Sequence, residues 1–140
     1  MSQLMIILAA SIFLTLGSIH ALLTLKDLKA PRAFTPRDPE LLRAMQHSGI
    51  ALHPAINLWD AYMGFNLTHS LGLMLFGAAY VYVGIFEPIA FAHSILLQGC
   101  AIGVSAIYLI LSVRFFFSKP AIGSAVAMGC FAVAAGLAYV

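Results

Sequence analysis

Four long apolar runs, separated by short polar stretches, dominate the chain. They cover residues 4–25, 61–86, 89–113 and 121–140. Each reaches the ~20 residues that cross ~30 Å of hydrocarbon as a helix. A backbone in lipid must hydrogen-bond to itself, so such runs predict helices. The second and third runs are joined only by Glu87-Pro88, and the third and fourth by residues 114–120, with Pro120 placed where the last helix starts. Short links impose neighbouring antiparallel helices. The predicted fold class is an all-α membrane protein, an antiparallel four-transmembrane-helix bundle forming a single domain over 1–140. The first run has no basic n-region and no convincing cleavage site, so it reads as a retained helix rather than a leader.

The connection 26–60 is the one sizeable polar segment. Asp38-Pro39-Glu40 has the form of an N-cap, a proline at the first helical position and an acid in the first turn. Leu41, Leu42, Met45 and Ile50 supply an apolar face, and Gly49 a stop. These features predict a short helix lying in the membrane interface. Trp59 stands where an aromatic belt residue anchors the next helix.

Polar and small residues fall on stripes within three of the runs. The first carries Phe13, Gly17, His20 and Thr24. The second carries Tyr62, Asn66, His69, Leu73, Phe76 and Tyr80, and the third Ser94, Gln98, Ala101, Ser105, Tyr108 and Ser112. Steps of four and three make one continuous seam on each helix of a left-handed bundle. The fourth run instead offers Gly123, Ala127, Ala132 and Gly136, small residues suited to close helix contact or to an oligomer interface. Gly64, Gly72 and Gly77 read as close-packing positions.

Composition agrees with lipid as the solvent. The chain is 62% hydrophobic and 9% charged, against about 25% charged in soluble domains. Net charge is +2, with no basic face able to track phosphates, which excludes nucleic acid as a partner. Cys100 and Cys130 sit in apolar runs and read as small hydrophobes, not a disulfide. All seven basic residues lie in the first and last connections: Lys26, Lys29, Arg32, Arg37 and Arg43, then Arg114 and Lys119. The positive-inside rule puts those connections in the cytoplasm. Both termini then face outward, into the periplasm of a bacterial inner membrane.

Polar side chains inside a span are expensive and mark either a site or a packing device. Counted by helical rise, His20, Asn66 and Tyr108 lie roughly 7–8 Å inside the apolar boundary, with His69 and Ser105 about one turn deeper. This predicts a polar layer of His20, Thr24, Asn66, His69, Ser70, Ser105, Tyr108 and Ser112, with Trp59, Asp60 and Arg114 near its mouth. Two readings stay open. The layer could set helix register through interhelical hydrogen bonds, or it could hold the polar head of a lipid-like or quinone-like molecule with a histidine as proton donor or acceptor. Bis-histidine haem ligation is a lesser alternative, since His20 and His69 are offset by about a turn. Zinc would need His47 or His53 to complete a ligand set, and no closed motif is present, so no metal is expected. Asp60, an acid at a helix start, suits capping.

The run Trp59, Gly64-Phe65-Asn66, His69-Ser70 and Gly72, with Phe34-Thr35-Pro36-Arg37-Asp38-Pro39 upstream, resembles a group of small bacterial four-helix integral membrane proteins. The resemblance implies the fold and no activity. The acid/histidine pattern of sterol-isomerase-like proteins is not matched, and the lack of Cys-x-x-Cys argues against a membrane thiol oxidoreductase.

The first functional expectation is a non-catalytic membrane protein. It would bind a lipid or other hydrophobic ligand, or serve as a subunit of a homo-oligomer or larger membrane complex. The second is an enzyme acting on an isoprenoid, sterol-like or fatty substrate. In that reading His69 or His20 is the acid/base, Asp60 assists, and Asn66 and Tyr108 orient an oxygen, with Ser70, Thr24, Ser105, Trp59 and Arg114 around the ligand.

Overall fold

The computed structural model describes residues 1–139. Val140, the end of the fourth predicted run, lies outside the described residues. The elements in order are α1 (Ser2–Lys29), α2 (Pro39–His47), β1 (Gly49–Ile50), β2 (His53–Asn57), α3 (Leu58–Phe86), α4 (Pro88–His93), α5 (Ile95–Phe115) and α6 (Ser118–Gly136), followed by a 3₁₀ turn, Leu137–Tyr139. Four of them, α1, α3, α5 and α6, are long and apolar enough to cross a membrane.

The chain divides into two units. Met1–Leu16 with Leu73–Val140 forms one, and Gly17–Gly72 the other. In the first unit Ile6, Phe13, Phe91 and Phe131 are fully buried. An aromatic chain runs through this core, with ring centroids 5.0 Å apart for Phe13–Phe76, 4.9 Å for Phe76–Tyr80 and 5.2 Å for Tyr80–Phe131. Edge-on and tilted geometries let the positive ring edges meet negative faces. As α3 advances from Gly77 to Gly84, its neighbour on α1 recedes from Leu14 to Ile7. The expected seam of α5 is buried at Gln98, Ala101, Ser105 and Ser112. On α6 the buried set is Ser124, Ala127, Phe131, Ala134 and Ala135. Of the expected small-residue stripe, Ala132 and Gly136 are exposed. The step of five from Ala127 to Ala132 leaves the helical face, while steps of three and four keep to it.

The third predicted run is interrupted. α4 stops at His93, and extended Ser94 N-caps α5, its Oγ accepting from the Leu97 N–H at 3.2 Å. Helix ends leave carbonyls without intrahelical partners. Here Gln98 Nε2 donates to the carbonyls of Phe91 and Ala92, both at 2.9 Å, and the Tyr80 hydroxyl donates to the Leu97 carbonyl at 2.8 Å. Gln98 therefore closes the break between α4 and α5.

In the second unit α2 starts where expected, with the Asp38 side chain accepting from the Glu40 N–H at 2.8 Å and no residue of α2 buried. It ends at His47 with Ser48 as its C-cap, so Gly49 and Ile50, expected as its stop and on its apolar face, lie in β1 instead. A small antiparallel hairpin, β1–β2, follows it and was not expected. Its glycine is required, because a Cβ at Gly49 would strike the Pro54 carbonyl. Asn57 then caps α3. Its Oδ1 accepts from the Asp60 N–H at 2.8 Å, and its Nδ2 donates to the Asp60 carboxylate at 2.9 Å, a reciprocal box.

Candidate functional site

The site lies in the unit Gly17–Gly72 and is built where α1, α3 and the turn after α1 meet. Asn66 comes first, because its amide orientation is fixed. Its Nδ2 donates to the Tyr62 carbonyl one turn earlier at 2.8 Å, which turns Oδ1 toward His20 Nε2, 3.0 Å away. An amide oxygen only accepts, so Nε2 of His20 carries the proton. In neutral His20 the other nitrogen, Nδ1, is then an acceptor, and it has no hydrogen bond among the described residues. The His20 residue as a whole is only partly buried.

Two more rings surround His20. His69 meets it edge to face, with centroids 5.4 Å apart and an interplanar angle of 72°. Phe34 tilts over it at 4.6 Å and 42°. Phe34 stands in the turn after α1, and Asp27 sets that turn. The Asp27 carboxylate is 1% exposed. Its Oδ1 accepts from the N–H groups of Arg32 (3.1 Å) and Ala33 (3.0 Å), and its Oδ2 from that of Phe34 (2.6 Å). Charge-assisted bonds of this kind are the strong ones. The helix stops at Lys29, since Pro31 forbids continuation. The chain then folds back around the carboxylate and lays Phe34 on His20.

Several hydroxyls of the predicted layer serve their own helices. Thr24 Oγ1 donates to the His20 carbonyl at 2.9 Å, Ser70 Oγ to the Asn66 carbonyl at 2.8 Å and Ser105 Oγ to the Ala101 carbonyl at 2.7 Å. Such bonding back to the preceding turn satisfies a hydroxyl in an apolar setting. Ser105, Tyr108 and Ser112 belong to the other unit, where Tyr108 tilts against Phe13 at 5.7 Å. Asp60 is exposed and engaged in the capping box. Trp59 is 6% exposed, its ring 6.0 Å from that of Tyr62. Arg114 is exposed in the last turn of α5. His47 Nδ1 lies 2.7 Å from the Arg43 carbonyl, and His53 is exposed on β2.

The structure thus brings together His20, Asn66 and His69 and adds Phe34 and Asp27, which the polar-layer reasoning missed. The available signal was an acid between Lys26 and Lys29, four residues before Pro31. Among the described residues no three His, Cys, Asp or Glu side chains are grouped to hold a metal ion. A bis-histidine haem requires both imidazoles to point a nitrogen at an iron between them. His20 and His69 instead meet edge to face with centroids 5.4 Å apart, which leaves no room for a porphyrin between them, so the pair as placed does not fit that group. No protein-family model, curated protein or solved structure matches this chain.

The His20–Asn66 bond has a measurable worth. A double-mutant cycle of His20→Phe and Asn66→Leu, read by unfolding in detergent, is expected to give a coupling of about 0.6 kcal/mol, rising to about 1.7 in the best cases known for membrane helices. A coupling indistinguishable from zero would show that the two side chains do not bond.

Proposed function

We propose that the chain is a small non-catalytic integral membrane protein that holds a hydrophobic ligand by a polar oxygen at His20. In this reading α1, α3, α5 and α6 form an antiparallel four-helix bundle in a bacterial inner membrane. Both termini face the periplasm, and α2 with the β1–β2 hairpin lies at the cytoplasmic face. Support for the membrane setting comes from the four apolar helices, with only 22–28% of each span window buried, and from basic residues confined to two connections. Large apolar side chains such as Leu4, Phe65, Leu75, Ile95 and Ile110 are exposed at 62–79%, far more than water would tolerate in one molecule.

One observation carries the ligand reading. His20 has its N–H committed to Asn66, which leaves Nδ1 of a partly buried ring as the remaining acceptor, with Phe34 and His69 against that ring. A bond that only fixed helix register would need Nε2 alone. An acceptor beside two further rings suits a lipid or other apolar molecule bearing a hydroxyl. The test is mass spectrometry of organic extracts from protein purified in mild detergent. The wild-type chain is expected to retain a hydroxyl-bearing hydrophobic molecule that His20→Phe loses about fivefold or more, in line with the roughly 1 kcal/mol or more that leaving a buried hydroxyl without its partner costs. A wild-type chain that carries no such molecule, or a variant that carries as much, refutes the proposal.

A further inference from the structure

Lys26 and Lys29 line two adjoining grooves at the C-terminal end of α1. One, of about 340 Å³, is walled by Leu22, Leu25 and Leu28, and the other, of about 370 Å³, by Leu23, Asp27, Ala30, Arg32 and Ala33. The two lysines, three residues apart, share one helix face, and Arg32 joins them from the turn beyond the helix. Among the described residues Asp27 is the one acid lining either groove, and its oxygens are turned onto three backbone N–H groups.

Lysines near a helix C-terminus can simply complement the helix dipole. That accounts neither for Arg32, which lies past the helix, nor for the leucines. Leu22, Leu25 and Leu28 are 58%, 49% and 47% exposed, directly beside the cations. A soluble anion would have no use for that apolar wall, and a neutral lipid none for three cations. From this charge complementarity and the apolar flank together we infer that these grooves bind the headgroup of an anionic phospholipid. The phosphate sits among Lys26, Lys29 and Arg32, and acyl chain lies along Leu22, Leu25 and Leu23. The inference rests on the membrane placement proposed above, but not on a ligand at His20.

The test uses the full chain in bilayer discs holding an equal mixture of phosphatidylglycerol and phosphatidylcholine, with native mass spectrometry of the lipids that stay bound. The wild-type chain is expected to enrich phosphatidylglycerol. Each cation near a charged surface is worth about fivefold. The triple variant Lys26→Gln/Lys29→Gln/Arg32→Gln should therefore lose at least tenfold of the preference after screening. Arg37→Gln/Arg43→Gln, outside both grooves, should keep it. Equal retention of the two lipids by the inserted wild-type chain overturns the headgroup site alone, as does an equal loss in both variants, which would mean diffuse attraction. Displacement by free glycerol phosphate at the lipid's own concentration shows a free-anion site and overturns it too. Release of the chain from native membranes by alkaline washing overturns the membrane placement, and this inference with it.

Discussion

Gly77→Ala is expected to destabilise the protein by about 3 kcal/mol, the upper end of what overpacking costs, while Gly64→Ala in the same helix costs nothing. The difference comes from what an added methyl meets. At Gly77 a Cβ would stand 2.6 Å from the Leu14 nitrogen, 2.8 Å from the Ala10 carbonyl oxygen and 2.9 Å from the Leu14 Cα. All three are backbone atoms of α1, which cannot rotate aside, so α1 and α3 must move apart. Phe76 is the preceding residue, and its 5.0 Å edge-on contact with Phe13 loosens with them. Close backbone approach is a main source of helix association in lipid, where no hydrophobic force draws helices together. Gly84 ranks between the two, because a Cβ there meets Ile7 Cγ1 at 2.7 Å and Ile6 Cγ2 at 3.1 Å, side-chain atoms that can yield. At Gly64 nothing lies within 4 Å, and the alanine gains up to about 1 kcal/mol of helix propensity. Unfolding in detergent of the three single variants measures the order Gly77, Gly84, Gly64. Equal losses at Gly77 and Gly64 would mean that the close approach of α1 and α3 is not real.

The same contrast shows what could be read from the chain before its structure. Gly64, Gly77 and Gly84 all stand in an apolar helical run, and no local pattern separates Gly77 from Gly64. The separation lies in which face meets α1, a tertiary fact. The runs themselves were legible because length and hydropathy alone define a helix able to cross a membrane. The α5 stripe was legible because burial follows the helical period, although Ser94 and Gln98 have other tasks. They sit in phase with Ala101 and Ser105, so they read as seam, yet Ser94 starts a helix and Gln98 satisfies the carbonyls of another. The break was hidden because residues 89–113 remain apolar across it. His20, Asn66 and His69 were legible as polar residues within about one turn of depth on striped helices. Phe34 was not, because its place over His20 depends on a chain reversal that hydropathy does not record. The hydroxyls of Thr24, Ser70 and Ser105 looked like site donors, since sequence does not show whether a hydroxyl points away or bonds its own preceding turn.

Asp27→Ala is expected to release that reversal and, through it, the site. An acid near a helix C-terminus opposes the helix dipole, and a carboxylate 1% exposed has lost most of its water. Neither cost is tolerable unless the three N–H groups of Arg32, Ala33 and Phe34 repay it. Removing the carboxylate leaves those donors unpaired. Arg32 and Ala33 are exposed and can turn to water, so the loss is nearer that of one or two charge-assisted bonds than three, about 2–3 kcal/mol. Asp27→Asn should do little better. An amide has one accepting oxygen where the carboxylate has two, so either the Phe34 N–H or the pair from Arg32 and Ala33 would face an NH₂ group. Hydrogen exchange separates this clasp from a general loss of stability. In both variants the amides of residues 32–34 should exchange faster than in the wild-type chain, while those of α5 and α6 keep their wild-type rates. Retention of the ligand proposed at His20 should fall as well, because Phe34 no longer holds its place over His20. Unchanged exchange at residues 32–34 would show that the turn is held by something other than Asp27. Faster exchange there with full retention of the ligand would leave the turn as described but remove Phe34 from the site.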